Sequence, residues 1–181
     1  MKKIFFIFLI SFVLFSSCGR SNETDANMIE SSITLSNGDI STETEAKDYT
    51  AQYISDVICK SALFKEGMTT LSPTDEDYSE AFEYLFDFDL SLTSDSSIRY
   101  CTSGRLSDEL DVFVLDDEIR RDEVIYALKA RANSRAAAYR GYYDNESKKA
   151  ENALILTNGK YVVFVISDEN DAVEDAFKTL F

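Results

Sequence analysis

The chain of 181 residues contains no histidine and a single proline, Pro73. Without imidazole it lacks the commonest general base near neutral pH and the commonest zinc ligand. Its three cysteines, Cys18, Cys59 and Cys101, are too scattered for the paired spacing of a structural zinc site. Neither a glycine-rich phosphate loop nor a nucleophile-elbow motif occurs. Positive charge is scarce as well, with 18 Lys and Arg against 33 Asp and Glu, a net −15 at pH 7. Such a chain is a poor partner for nucleic acid, whose phosphates want cations, and anionic lipid headgroups repel it. We therefore expect no enzyme, no cofactor, no metal site and no nucleic-acid partner.

Long apolar runs are also missing. Residues 4–15 are apolar except for Ser11, whereas a spanning helix needs about 20 residues. Lys2 and Lys3 precede that run and Ser16, Ser17 and Cys18 close it. This is the three-part layout of a secretory signal peptide. A cysteine directly after small residues resembles the bacterial lipoprotein signal. That resemblance implies a thioether-linked diacylglycerol on Cys18, cleavage just before it, and residence on the extracytoplasmic face of the membrane. Phe15 stands where leucine is usual. Two acyl chains make a stable anchor, since each buried methylene contributes about 0.8 kcal/mol. Removal of Lys2 and Lys3 leaves 16 basic against 33 acidic residues, a net −17.

The chain divides into a lipoprotein signal peptide over 1–17, a flexible polar tether over 18–46 beginning at lipidated Cys18, and one α+β domain over 47–181. The tether is rich in Ser, Thr, Asn, Asp and Glu and keeps neither a helical nor a strand period. In the domain, Tyr53, Ile54, Val57, Ile58 and Ser61 keep helical spacing and predict a helix over 49–64. Pro73 marks a turn into a short second helix carrying Tyr78, Ala81, Phe82 and Leu85. Residues 98–102 and 110–115 read as strands around a turn at 104–108. The longest helix runs from the acidic 116–118 to about 142, burying Ile125, Leu128, Ala132, Ala136 and Tyr139. Its alanines leave room for a close neighbour. Strands over 152–156 and 161–166 flank Asn158-Gly159, a pair suited to a tight hairpin turn. A closing helix starts within 168–171. The fold class is thus α+β: two N-terminal helices, then two β-hairpin–helix units forming a mostly antiparallel four-stranded sheet with helices packed on it.

Several segments also resemble a family. They are Phe64-Lys65-Glu66-Gly67-Met68, Tyr84-Leu85-Phe86-Asp87-Phe88-Asp89, Leu110-Asp111-Val112-Phe113-Val114, Ala127-Leu128-Lys129-Ala130-Arg131 and Asn158-Gly159-Lys160-Tyr161 with the strand after it. In order and spacing they resemble domain of unknown function 4358, a family of uncharacterised lipoproteins common in Firmicutes. The resemblance spans roughly 50–181 and implies a lipid-anchored or secreted protein of no assigned activity.

Of the candidate chemistry, the acidic clusters at 75–77, 116–118 and 168–171 each precede a helix and read as caps and dipole partners. The calcium-loop pattern fails, because Val173 and Leu92 stand where its turn glycine belongs. Arg131 and Arg135 lie one turn apart on the long helix. They are either paired within the protein or a recognition patch for an anionic partner, since a guanidinium fork grips carboxylate or phosphate. Cys59 and Cys101 are read as free thiols or, alternatively, as a disulfide. The leading expectation is a non-catalytic domain that binds another component of the cell envelope. The alternatives are a small-molecule or cation receptor and, after it, a cell-wall hydrolase using two carboxylates.

Overall fold

The structure is a computed structural model that describes residues 35–37, 48–65 and 67–181. Cys18, the expected lipidation site, and the expected signal peptide lie outside the described residues, as does the expected tether apart from one short strand. In chain order the elements are β1 (Leu35–Asn37), α1 (Ala51–Ser61), β2 (Met68–Leu71), α2 (Tyr78–Leu85), β3 (Thr93–Cys101), β4 (Glu109–Leu115), α3 (Arg121–Tyr139), α4 (Asp144–Glu151), β5 (Leu154–Asn158), β6 (Tyr161–Ile166) and α5 (Asn170–Lys178).

The strands form one six-stranded sheet in the order β1-β5-β6-β4-β3-β2. The α+β class holds, and its two expected hairpins, β3–β4 and β5–β6, form the centre of the sheet, joined by antiparallel β4–β6 pairing. The expected four strands are corrected to six. β2 intervenes between the two N-terminal helices and pairs antiparallel with β3, Leu71 opposite Ile98. β1, inside the segment read as a tether, pairs parallel with β5, Leu35 opposite Ile155. Both added strands are edge strands of three or four residues, too short to carry a period that sequence could reveal.

Alternation along β4 divides the interior in two. Leu110, Val112 and Val114 join a core with Ile54 and Ile58 of α1 and Val173 and Phe177 of α5. Phe113 and Leu115 face the other way, onto Phe82 of α2 and Leu128 and Ala132 of α3. All seven residues of β4 are buried, as expected of a strand paired on both sides and covered on both faces. Glu109 and Asp111 share the parity of Phe113, so their carboxylates lie on the α3 side of the sheet.

Local signals account for most boundaries. Thr50 caps α1 by accepting from the Tyr53 amide at 3.2 Å. Asp75 and Asp117 accept from the Ser72 and Ile119 amides at 2.7 and 2.9 Å and so cap the turns before α2 and α3, whereas α2, α3 and α5 themselves start without the expected side-chain cap. β5 reaches Asn158, two residues further than expected, and the hairpin turns on Gly159 and Lys160, with Gly159 at φ 52°. The long helix stops at Tyr139 rather than 142. Gly141 takes φ 80°, and its amide donates to Asp144 at 3.0 Å, which starts α4. Val124 lies in the buried stripe in place of Ile125, which is partly buried. The close neighbour for which the alanines leave room is α4: Ser147 donates its hydroxyl to the Ala136 carbonyl at 2.9 Å, and Ala150 is fully buried.

Candidate functional site

Charge collects at one end of the sheet, where β4 begins and β6 ends. Glu109 and Asp111 are fully buried there. Arg131 and Arg135 share a helix face, as their spacing predicts, but that face points inward. Arg131 pairs with Glu109, donates to the Leu85 carbonyl at 2.8 Å and lies 4.9 Å from the centre of the Phe86 ring. Arg135 Nε stands 3.3 Å from the other Glu109 oxygen, and its guanidinium lies 5.3 Å from the centre of the Tyr139 ring. Their side chains are 11% and 20% exposed. The surface recognition patch is therefore corrected to an internal ion cluster. A buried glutamate on the sheet must be neutralised, and among the described residues these two guanidiniums are the cations that reach it.

Asp111 is the anomaly of this cluster. Its strand neighbours are Ile98 and Phe164, and among the described residues neither carboxylate oxygen accepts a well-formed hydrogen bond. Burial, then the adjacent Glu109 charge, raise its pKa well above the ordinary aspartate value, and Arg131 only partly offsets them. Two carboxylates held this close do not both ionise readily. The Arg131 pKa is raised too, which here favours the charged form: burial works against its charge, but Glu109 and then Asp111 hold its pKa above the ordinary arginine value.

A second cluster lies alongside. The Lys149 ammonium is 2% exposed and meets Asp108 at 2.6 Å, Glu146 at 2.9 Å and Asp168 at 3.7 Å. Glu146 in turn accepts the Ser107 amide at 2.7 Å and the Ser107 hydroxyl at 2.8 Å. These contacts tie α4 to the loop before β4 and to the loop after β6. Burial pulls the Lys149 pKa down, but the bonds to Asp108 and Glu146 outweigh it and leave it raised. Burial pushes Glu146 up, and Lys149 and Ser107 overcome that and lower it. Lys149 is thus a held cation, not a general base. Sequence reading missed this cluster. Its only local trace is the Glu146–Lys149 spacing on one helix face; Asp108 joins from 41 residues away.

Against Lys149 opens a cleft of about 830 Å³ between α4 and the start of α5. One wall carries Asn145 and Lys148, the other Asn170 and Asp171, with Leu154 and Ser167 also lining it. The volume falls within the roughly 300–1,000 Å³ of small-molecule sites. Lys65 at its rim lies 3.7 Å from Asp168. Asn170 donates to the Asn152 carbonyl at 2.9 Å, while its side-chain oxygen is covered and has no hydrogen-bond partner.

The disulfide reading is corrected, because Cys59 and Cys101 are both free. Cys59 Sγ accepts from Arg99 at 3.3 Å, and Arg99 also pairs with Asp56 at 2.6 Å, so the thiol faces a guanidinium. Burial raises both thiol pKa values. Among the described residues no group of three or more carboxylates and thiols is placed to hold a metal ion, and no helix is long and apolar enough to cross a membrane.

A family model, the domain of unknown function DUF4358, matches residues 66–167. No curated protein and no solved structure matches the chain. The matched span runs from just before β2 to just after β6, and so includes both hairpins, α3, α4, the Glu109 cluster and all of the Lys149 cluster but Asp168.

Proposed function

Since the chain belongs to the DUF4358 family, whose molecular function is unknown, we propose from its own residues that it is a non-catalytic binding protein of the cell envelope. It is carried by lipid on Cys18 at the extracytoplasmic face and receives a small ligand in the cleft between α4 and α5. The observation that carries this reading is the cleft itself, a polar concavity of small-molecule size whose inner wall is stiffened by the Lys149 cluster. A site built on a rigid wall keeps its geometry without help from the ligand. The anchor rests on the signal-like residues ending at Cys18.

Another envelope protein is the second reading. Ile119 and Tyr126, seven positions apart and 86% and 77% exposed, are the observation that favours it. The hydrolase reading has less support, since Glu109 and Asp111, the carboxylates brought together at the end of the sheet, are closed to any wall polymer.

The test has two arms. Cys18→Ser should move the protein from the membrane fraction to the medium or leave it uncleaved; a membrane-bound protein of mature size would exclude the anchor. A thermal screen of polar metabolites against the full chain should find a ligand that raises Tm in step with the logarithm of its concentration, a stabilisation of about 2.7 kcal/mol at a hundredfold excess over Kd. No rise with any of them, together with a cross-link that is lost in Tyr126→Ala, would transfer the function to the protein partner.

A further inference from the structure

The cleft's ionic inventory narrows what it can hold. Most charges around it are already used. Lys149 has three carboxylates, Lys65 has Asp168, and Glu174 has Lys178 at 3.2 Å. Two charges that line the cleft have no ion-pair partner among the described residues: Lys148 in the last turn of α4 and Asp171 in the first turn of α5. They stand on opposite walls and have opposite signs. The Asn145 amide adds a donor on the Lys148 wall.

We propose that the cleft binds a small zwitterion, a short peptide with free ends, its carboxylate toward Lys148 and Asn145 and its ammonium toward Asp171. This rests on the reading of the cleft as a ligand site and adds the ligand class. A dianion or dication would satisfy one wall and be repelled by the other. A neutral ligand would draw nothing from either of these exposed charges. An open cleft of about 830 Å³ has room for two or three residues. Lys148 and Asp171 also offset the dipoles of their own helices. Thermal midpoints of the variants therefore have to be followed together with binding.

The probes are alanyl-alanine, its N-acetyl form and its C-terminal amide, titrated into the full chain and followed through backbone amide shifts of 145–152 and 167–174. Alanyl-alanine should shift these signals saturably, while each capped form binds about tenfold more weakly, the loss expected for one charge-assisted contact. Lys148→Gln should remove the preference over the amide form alone, and Asp171→Asn the preference over the acetyl form alone. Lys148→Arg and Asp171→Glu should retain both preferences. Equal binding of all three probes would overturn the zwitterion and leave the cleft as a ligand site. No shift from any probe, in protein that melts normally, would overturn the zwitterion; if the metabolite screen is also blank, the ligand site falls with it.

Discussion

Arg131→Met puts the internal ion cluster to its hardest test. The substitution keeps an unbranched side chain of similar reach and removes the charge. Three contacts disappear: the ion pair to fully buried Glu109, the 2.8 Å bond to the Leu85 carbonyl and the stacking over Phe86. Glu109 then keeps only Arg135, whose approach at 3.3 Å lacks hydrogen-bond alignment. Breaking a buried pair from one side costs about 3–5 kcal/mol, because a charge is left in the core without its partner. An unfolding entropy of about 2.1 cal/mol/K per residue over about 130 ordered residues converts this to a fall in Tm of roughly 11–18 °C. Against a total stability of about 5–15 kcal/mol, the variant would be close to unfolding at growth temperature. Urea denaturation and calorimetry measure the loss directly. The double variant Glu109→Leu/Arg131→Met should recover most of it, since well-packed apolar residues often replace a buried pair without loss. A single variant within about 1 kcal/mol of the parent would refute the argument and return Arg131 to the surface role that its sequence spacing allowed.

Asp111→Asn should alter how stability depends on pH. Because the folded state raises the Asp111 pKa, this group favours folding at low pH, and its contribution is lost as pH rises through the raised value. The charged groups acting on it are Glu109 and Arg131, with Tyr78 also within electrostatic range. The amide variant should lose less stability than the parent between pH 5 and pH 9 in urea titrations; parallel curves would mean that Asp111 does not hold its proton. Lys149→Met should cost about 3–5 kcal/mol for the same reason as Arg131→Met, since Asp108 is left buried and unpaired. It should also speed amide exchange in α4, and normal α4 protection would show that the cluster does not pin that helix. In the parent the cluster should weaken in two windows: as pH falls through the lowered Glu146 pKa and as pH rises through the raised Lys149 pKa.

Sequence legibility followed the strength of local signals. The stripe of α1, the Asn158-Gly159 turn and the unbroken apolar run of β6 each repeat over several residues, and each appears in the structure close to its expected place. α4 escaped because it is eight residues long and mostly polar, with no apolar stripe to announce it. It is held by one lysine and an alanine seam rather than by a hydrophobic face. The candidate site lies largely on that unannounced helix. Lys148 was one charge among many until α5 placed Asp171 across from it.

What the sequence determined by itself is the class of protein: its acidity, the absence of imidazole chemistry, the α+β order of elements and the resemblance that the family match bears out. Those properties are sums or short-range patterns, and they survive any arrangement of the elements in space. The tertiary structure decided the direction in which charges face. Arg131 and Arg135 turn inward because alternation on β4 puts Glu109 under α3. Lys149 becomes a buried cation because Asp108 and Asp168 approach it from loops 41 and 19 residues away. Ion pairing in a core is a long-range property, set by which strands and helices meet, and a charge on a helix face carries no local sign of which way that face will point.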